Sequence, residues 1–232
     1  MPTILFNFPL PFNLDISLML FGCKIISLFF LTINECSFII EIVRNKDEKK
    51  EKAIFDAAIG LITANGFADT SMSKIAKTAD VSPATIYVYF ENKEDMLNKT
   101  YSHVKREMAT ALAKGLKPEL SVEEAFKIIW NNFYKYTVNN SVKFSFTEQF
   151  ANSPIVDRIR REEGMSYFLP LFEWFERGKR EKVFKNLSVE IFAAFAFAPL
   201  IGLVKQHFCG DVVLDNKMLK TVYEITWTAV TR

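Results

Sequence analysis

The stretch DVSPATIYVYFENKEDML, residues 80–97, decides how this chain is read. Ser82 stands immediately before Pro83, so its hydroxyl can accept from the free amides of a helix whose first position proline fills with φ already set. A helix is therefore predicted to start at Pro83. Upstream, Ser71 to Ala79 reads as another short helix in which Ile75, Ala76 and Ala79 share one face. Asp80-Val81 is the turn between them. Downstream, Asn92 caps a further helix that carries Glu94 and Asp95 in its first turn.

Two short helices around a tight turn make a helix-turn-helix, whose second helix enters the DNA major groove with its N-terminal residues nearest the bases. Those residues are Ser82, Pro83, Ala84 and Thr85. They are small enough for close approach, and Thr85 offers a hydroxyl to a base edge and a methyl to thymine. Tyr87 and Tyr89 are placed to donate their hydroxyls to phosphate, and Lys93 at a helix N-terminus suits phosphate as well. A plain helical hairpin could use the same caps and rings. It has no need of small residues, rim tyrosines and a terminal lysine together.

Residues 48–97 resemble the DNA-binding head of the TetR family of bacterial regulators. The likeness is carried by EKKEKAIFDAAIGLITANGF (48–67), Thr70-Ser71, Ile75-Ala76, Ala79, Val81-Ser82, the run from Ile86 to Phe90, and Lys93-Glu94, in the family's order and spacing. The family usually has glycine where Asp80 and Ala84 stand. Asp80 tolerates a turn conformation, whereas Ala84 changes what the second helix shows to a base. The resemblance implies an all-α protein of about nine helices, with a three-helix head, a connecting helix and a C-terminal bundle for ligand binding and dimerisation. It also implies that Thr70, Ser71, Ser73 and Lys74 join the DNA contact. The expected partners are a palindromic double-stranded operator, a second copy of the chain and a small hydrophobic effector that releases a repressor from its operator. The expected location is the cytoplasm.

Charge adds little, for the formal net charge is +2 over 232 residues. From Arg44 to Lys114 there are 12 basic and 10 acidic side chains, so the head relies on local placement. Lys46, Lys49, Lys50 and Lys52, around the start of the first helix, are candidates to lie along phosphates; a solvated helix start reads the same way. One weakly charged head binds DNA weakly, and two acting together compensate.

Beyond the head, Gly115 to Leu120 breaks the connecting helix, and Ser121-Val-Glu-Glu124 is a capping box that opens the next one. Asn139-Asn140 ends that helix. A further helix holds Phe144, Phe146 and Phe150. Ser153-Pro154 is predicted to start another that reaches Gly178, with Pro170 as a kink or break. Ser188 to Cys209 and Asp215 to Thr231 are the last two. Rings are abundant in this half, and large rigid rings leave cavities easily. Phe126, Trp130, Phe133, Phe146, Phe150, Tyr167, Phe168, Phe172 and Phe195 are accordingly the candidate ligand pocket, although aromatics at helical spacing also make ordinary core. Residues 191–204 are apolar nearly all round, as a helix buried by both bundle and partner would be. Phe192, Phe195, Leu203, Leu219, Tyr223 and Trp227 are therefore the expected dimer contact.

Catalysis has no foothold. His103 and His207 are far apart, and neither has a Cys, Asp or Glu at metal-ligand spacing. No phosphate loop or nucleophile elbow occurs. No catalytic residue, metal or cofactor is expected. Glu148, Arg158, Arg160 and Arg161 could position a ligand carboxylate but also read as solvated charges. Cys23, Cys36 and Cys209 show no paired spacing, which fits a reducing compartment.

In residues 1–43, Phe, Ile and Leu supply 22 positions. Residues 16–33 are long enough to span a membrane, but Lys24 lies at their centre and no positive flank precedes them. A secretory signal fails for want of a basic start and a cleavage site. Phe, Ile, Leu and Asn are what AT-rich DNA encodes by default, and the family-like sequence begins just after Val43. Translation is therefore expected to start at Val43, with a membrane anchor or an extra docking segment as the alternatives. The expected division is 1–43 extension, 44–98 DNA-binding head and 99–232 ligand-binding and dimerisation domain. Two competing classes stay open: a membrane-tethered regulator or sensor, and a helical binding module without DNA recognition.

Overall fold

In the computed structural model of the chain, residues 48–150 and 158–232 are described, 158–161 by their backbone alone. The expectations for residues 1–43, Lys46, Ser153-Pro154 and the side chains of Arg158, Arg160 and Arg161 lie outside this range. Two compact units divide at Lys52 and Ala53. Of the first unit, residues 48–52 are helical, with Lys49, Lys50 and Lys52 exposed.

The described residues are all-α, as expected, and contain no strand beyond an isolated bridge between Phe184 and Thr231. Helix α1, residues 48–65, stops at Gly66, whose φ of 81° lets its amide reach back to the Ile62 carbonyl. Helix α2, Met72–Thr78, is capped by Ser71, and α3, Pro83–Tyr89, by Ser82. Between them Asp80 takes a φ of 54° while the Val81 amide donates to the Ala76 carbonyl at 3.0 Å. This closes α2 with the bond from the second residue past the end that usually goes with glycine. Aspartate is one of the few side chains that enters this region at modest cost.

Asn92 caps α4, Lys93–Ala113, and Ser121 with Glu124 forms the expected capping box on α5, Val122–Asn139. Then come α6, Ser141–Phe150; α7, Arg158–Ser166; and α8, Leu169–Arg180. Pro170 sits in the first turn of α8, where its missing amide costs nothing. The break there, one of the two outcomes expected at Pro170, brings the described residues to ten helices where about nine were expected. Helix α9, Val189–Cys209, starts on Ser188 and ends at Gly210 (φ 83°), and α10, Asn216–Val230, is capped by Asp215.

Two cores form. The first gathers Ile54, Ala58 and Ile62 of α1, Ile75, Ile86 and Phe90, with Met96, Leu97, Tyr101 and Val104 of α4. Phe146 and Phe150 of α6 enter it as well. The second joins Met108 and Leu112 of the same α4 to α5, α8, α9 and α10. Helix α4 therefore belongs to both cores. An ion cluster beside it fixes that position: Lys143 reaches Glu107 at 2.6 Å and Asp56 at 3.9 Å, and His103 stacks on Phe55 with ring centres 4.4 Å apart. The adjacent His103 imidazole and the Lys143 ammonium hold the Glu107 carboxyl down at about 2.

Candidate nucleic-acid interface and bundle cavity

Helix α3 is anchored from behind and bare in front. Ile86 and the following Phe90 are buried, whereas Ser82, Pro83, Ala84, Tyr87 and Val88 are exposed. Ser82 Oγ accepts from the Thr85 amide at 3.2 Å and lies 2.8 Å from Thr85 Oγ1. The capping pair thus fixes the first turn and orients the half-buried Thr85. Tyr87 is 59% exposed and Val88 80% exposed. Tyr89 is half-buried, and its carbonyl accepts from Lys99 Nζ at 3.0 Å.

Val88 is not among the DNA contacts expected from the sequence. The signal was present, because residues four apart share a helix face and Val88 follows Ala84 by four. An apolar side chain there suits the thymine methyl.

The flanking residues divide. Ser71 and Ser73 are exposed, with their hydroxyls 3.2 Å apart. Lys74 Nζ donates to the Asp69 carbonyl at 3.0 Å, and Lys93 Nζ lies 4.1 Å above the Phe67 ring with the Ala68 carbonyl at 3.4 Å. Both lysines therefore also brace the α1–α2 loop. Thr70 departs from expectation: it is buried, and its hydroxyl donates to the Gly66 carbonyl at 2.8 Å, with that of Leu61 at 3.3 Å. It closes the loop after α1 instead of facing outward. Thr70→Val is expected to lower stability by about 1–2 kcal/mol while leaving DNA affinity unchanged at low temperature. Thermal melts and gel shifts of the same preparation check this.

The bundle contains a partly open cavity of about 300 Å³. Of the expected pocket residues, Phe126, Phe133, Phe168 and Phe172 line it. The others sit elsewhere, each for a packing reason. Trp130 is fully buried and donates Nε1 to the Ala196 carbonyl at 3.1 Å, tying α5 to α9. Phe146 and Phe150, with ring centres 5.1 Å apart, belong to the first core. Tyr167 donates its hydroxyl to Glu163 at 2.9 Å, and Phe195 is 55% exposed.

Phe144, Trp174, Phe175, Phe184, Phe192 and Phe197 complete an aromatic wall, and Tyr101, Lys105, Thr147 and Glu148 stand in its lining. Burial lowers the Lys105 pKa, with the charge of Glu148 acting in the opposite sense. Among the described residues no group of three or more His, Cys, Asp or Glu could hold a metal.

On the outer side, Ile191, Phe195, Ala198 and Gly202 of α9 are exposed at spacings of four, three and four, and Ile225 of α10 is 61% exposed. Among the described residues α9 is the one helix long and apolar enough to cross a membrane by length and composition. Most of the expected dimer residues face the other way. Phe192 points inward, its ring centre 4.5 Å from that of Phe175, and Tyr223 and Trp227 stack 6.4 Å apart against Phe126. Leu203 and Leu219 are half-buried at the core edge. Only Phe195 of that set lies in the open.

Residues 54–100 match the bacterial regulatory proteins, tetR family, and residues 121–231 match the Tetracyclin repressor-like, C-terminal domain. An uncharacterized HTH-type transcriptional regulator from Haemophilus influenzae is 25% identical over 178 residues, covering 76% of this chain and 93% of that one. The Fatty acid metabolism regulator protein of Bacillus subtilis is 34% identical over 80 residues, 34% of this chain and 41% of that one. Among solved structures, a TetR family transcription regulator from Marinobacter aquaeolei VT8 superposes with a TM-score of 0.76 at 25% identity, covering 81% of this chain and 98% of that one.

Proposed function

Because the chain belongs to the TetR family of DNA-binding transcriptional regulators, we propose that it works in the cytoplasm as a homodimeric repressor. In this reading two copies of α3 occupy successive major grooves of a palindromic operator, and a small apolar ligand in the bundle cavity releases them. The division into a head at 44–98 and a ligand-binding, dimerising part at 99–232 goes with it.

One observation carries the reading: α3 combines a buried anchoring face, Ile86 with Phe90 behind it, with a bare face of Ser82, Pro83, Ala84, Tyr87 and Val88. A helix ordered mainly for packing has no reason to leave Tyr87 and Val88 out. For DNA, that same face supplies close backbone approach, a methyl contact and a phosphate donor. The dimer contact is assigned to the exposed stripe of α9 and to Ile225, since an apolar helix face of this kind marks an interaction surface. Two-fold symmetry then matches a palindromic site. Ligand control follows from α4, which lines the cavity through Tyr101, Lys105, Met108 and Leu112 and continues into the first core. A ligand preferring one position of α4 shifts the spacing of the two heads.

The test is a gel shift on fragments of the gene's own upstream region against random duplex. The wild-type chain is expected to select one fragment. Ala84→Glu, which sets a carboxylate against the DNA surface, is expected to cost about 3 kcal/mol, roughly a hundredfold, with unchanged circular dichroism. Equal binding of the folded variant and the wild type would overturn the assignment of α3.

A further inference from the structure

Helix α4 brings a single lysine into the cavity wall. Tyr101, Lys105, Met108 and Leu112 follow one another at spacings of four, three and four, so they share one stripe of the helix, and all four line the cavity. A packed wall calls for apolar side chains at all four places. The stem of Lys105 lies along α7, where a Cβ added at Gly164 would meet its Cγ at 3.4 Å. Its ammonium lies 4.7 Å from the centre of the Phe168 ring, another part of the lining. Among the described residues it has no hydrogen bond or ion pair.

The nearby acid does not fill that role. Glu148 is bonded to Lys205 at 2.7 Å, so Lys105, Lys205 and Glu148 together leave one positive charge in excess at this end of the cavity. A cation held against apolar surface without a paired anion is costly, and an incoming anion would lower that cost. A neutral ligand would leave it in place. A cationic ligand would add repulsion to it.

We propose that the cavity takes an anionic amphiphile, its apolar body among Phe126, Phe133, Phe172 and Phe192 and its carboxylate or phosphate head on Lys105. The desolvated lysine is then the group that tells an acid from the alcohol or amine of the same chain. This rests on the reading of the cavity as the effector site, and names the class of effector. Lys105 lies on α4 between the residues of the two cores, so the head group acts on the helix that joins them.

Displacement of the neutral dye Nile red from the purified full chain tests it, using decanoate, decyl phosphate, decan-1-ol and decyltrimethylammonium, which differ only in their heads. At least one of the two anions is expected to displace the dye at a roughly ten- to hundredfold lower concentration than the alcohol, as a charge-assisted contact gives, with the ammonium weakest. Comparing decanoate with decyl phosphate identifies the head. Lys105→Met, of similar length and apolar, is expected to abolish the preference for acid over alcohol, and Lys105→Arg to keep it. An alcohol as good as both acids, a preference that survives in Lys105→Met, or failure of all four to displace the dye would each overturn the proposal. A gel shift with the better anion separates the two readings. If that anion binds through Lys105 yet leaves the DNA complex intact, the site stands and the effector role falls; if it dissolves the complex in the wild type but not in Lys105→Met, both stand.

Discussion

Phe195→Glu combined with Ile225→Glu is expected to turn the protein into a monomer and to lower operator binding by about a hundred- to ten-thousandfold, the range in which linking two binding modules acts. Both side chains lie on the open faces of α9 and α10, Phe195 at 55% and Ile225 at 61% exposure, so neither substitution disturbs the inner packing. In a dimer that uses these faces, each would place a carboxylate without a partner in an apolar contact, and the symmetry axis would double the penalty. The head itself is untouched, so weak binding by one α3 should persist at low salt. Light scattering on a sizing column reads the mass and a gel shift reads the affinity. A variant that stays dimeric would move the interface to another surface.

Gly178→Ala carries the largest expected cost in stability. A Cβ at residue 178 would stand 2.2 and 2.4 Å from two ring carbons of Phe184 and 2.9 Å from a methyl of Val122. Phe184 cannot step aside. Its ring sits among Phe126, Phe192 and Trp227 at centre distances of 5.9, 4.8 and 6.0 Å, its amide donates to the Gly178 carbonyl at 3.1 Å, and it bridges to Thr231. Overpacking at such a place costs typically 1–3 kcal/mol, which for a chain of this size lowers the melting temperature by roughly 2–12 °C. Gly60→Ala is the control, because nothing lies within 4 Å of an added Cβ there; helix propensity predicts a slight gain. Differential scanning fluorimetry of the two variants decides, and an unchanged melting temperature for Gly178→Ala would refute the packing argument.

The caps at Ser82, Asn92 and Ser121 were legible in the sequence, and with them most of the fold. Ser71, Ser82, Asn92, Ser121, Ser188 and Asp215 each accept from the backbone amide three residues on. This is a local interaction, so local sequence suffices to read it. Orientation was harder where the pattern has no polar side. Helix α9 is apolar nearly all round, and nothing in its sequence says that Phe192 turns inward while Phe195 faces out; contacts with α5, α8 and α10 decide that. Thr70 was misread for a related reason. Its place in the family motif is equally consistent with a hydroxyl turned inward to Gly66 and one turned outward to a phosphate. Lys105 is visible in the sequence as a lone charge in the stripe of Tyr101, Met108 and Leu112, whereas ring content alone says nothing of a lysine.

That α4 supplies Met96, Leu97 and Tyr101 to one core and Met108 and Leu112 to the other limits how such a regulator can be rebuilt. A chimera joined at residue 98, grafting this reading head onto a foreign sensor, would cut α4 in two and strip the head of Tyr101 and Val104, which close its core. A workable graft has to carry α4 whole, together with the Phe146 and Phe150 of α6 that lean on it. On the proposed function, the head that would read a promoter and the bundle that would take a signal share α4, and have to be exchanged together with it.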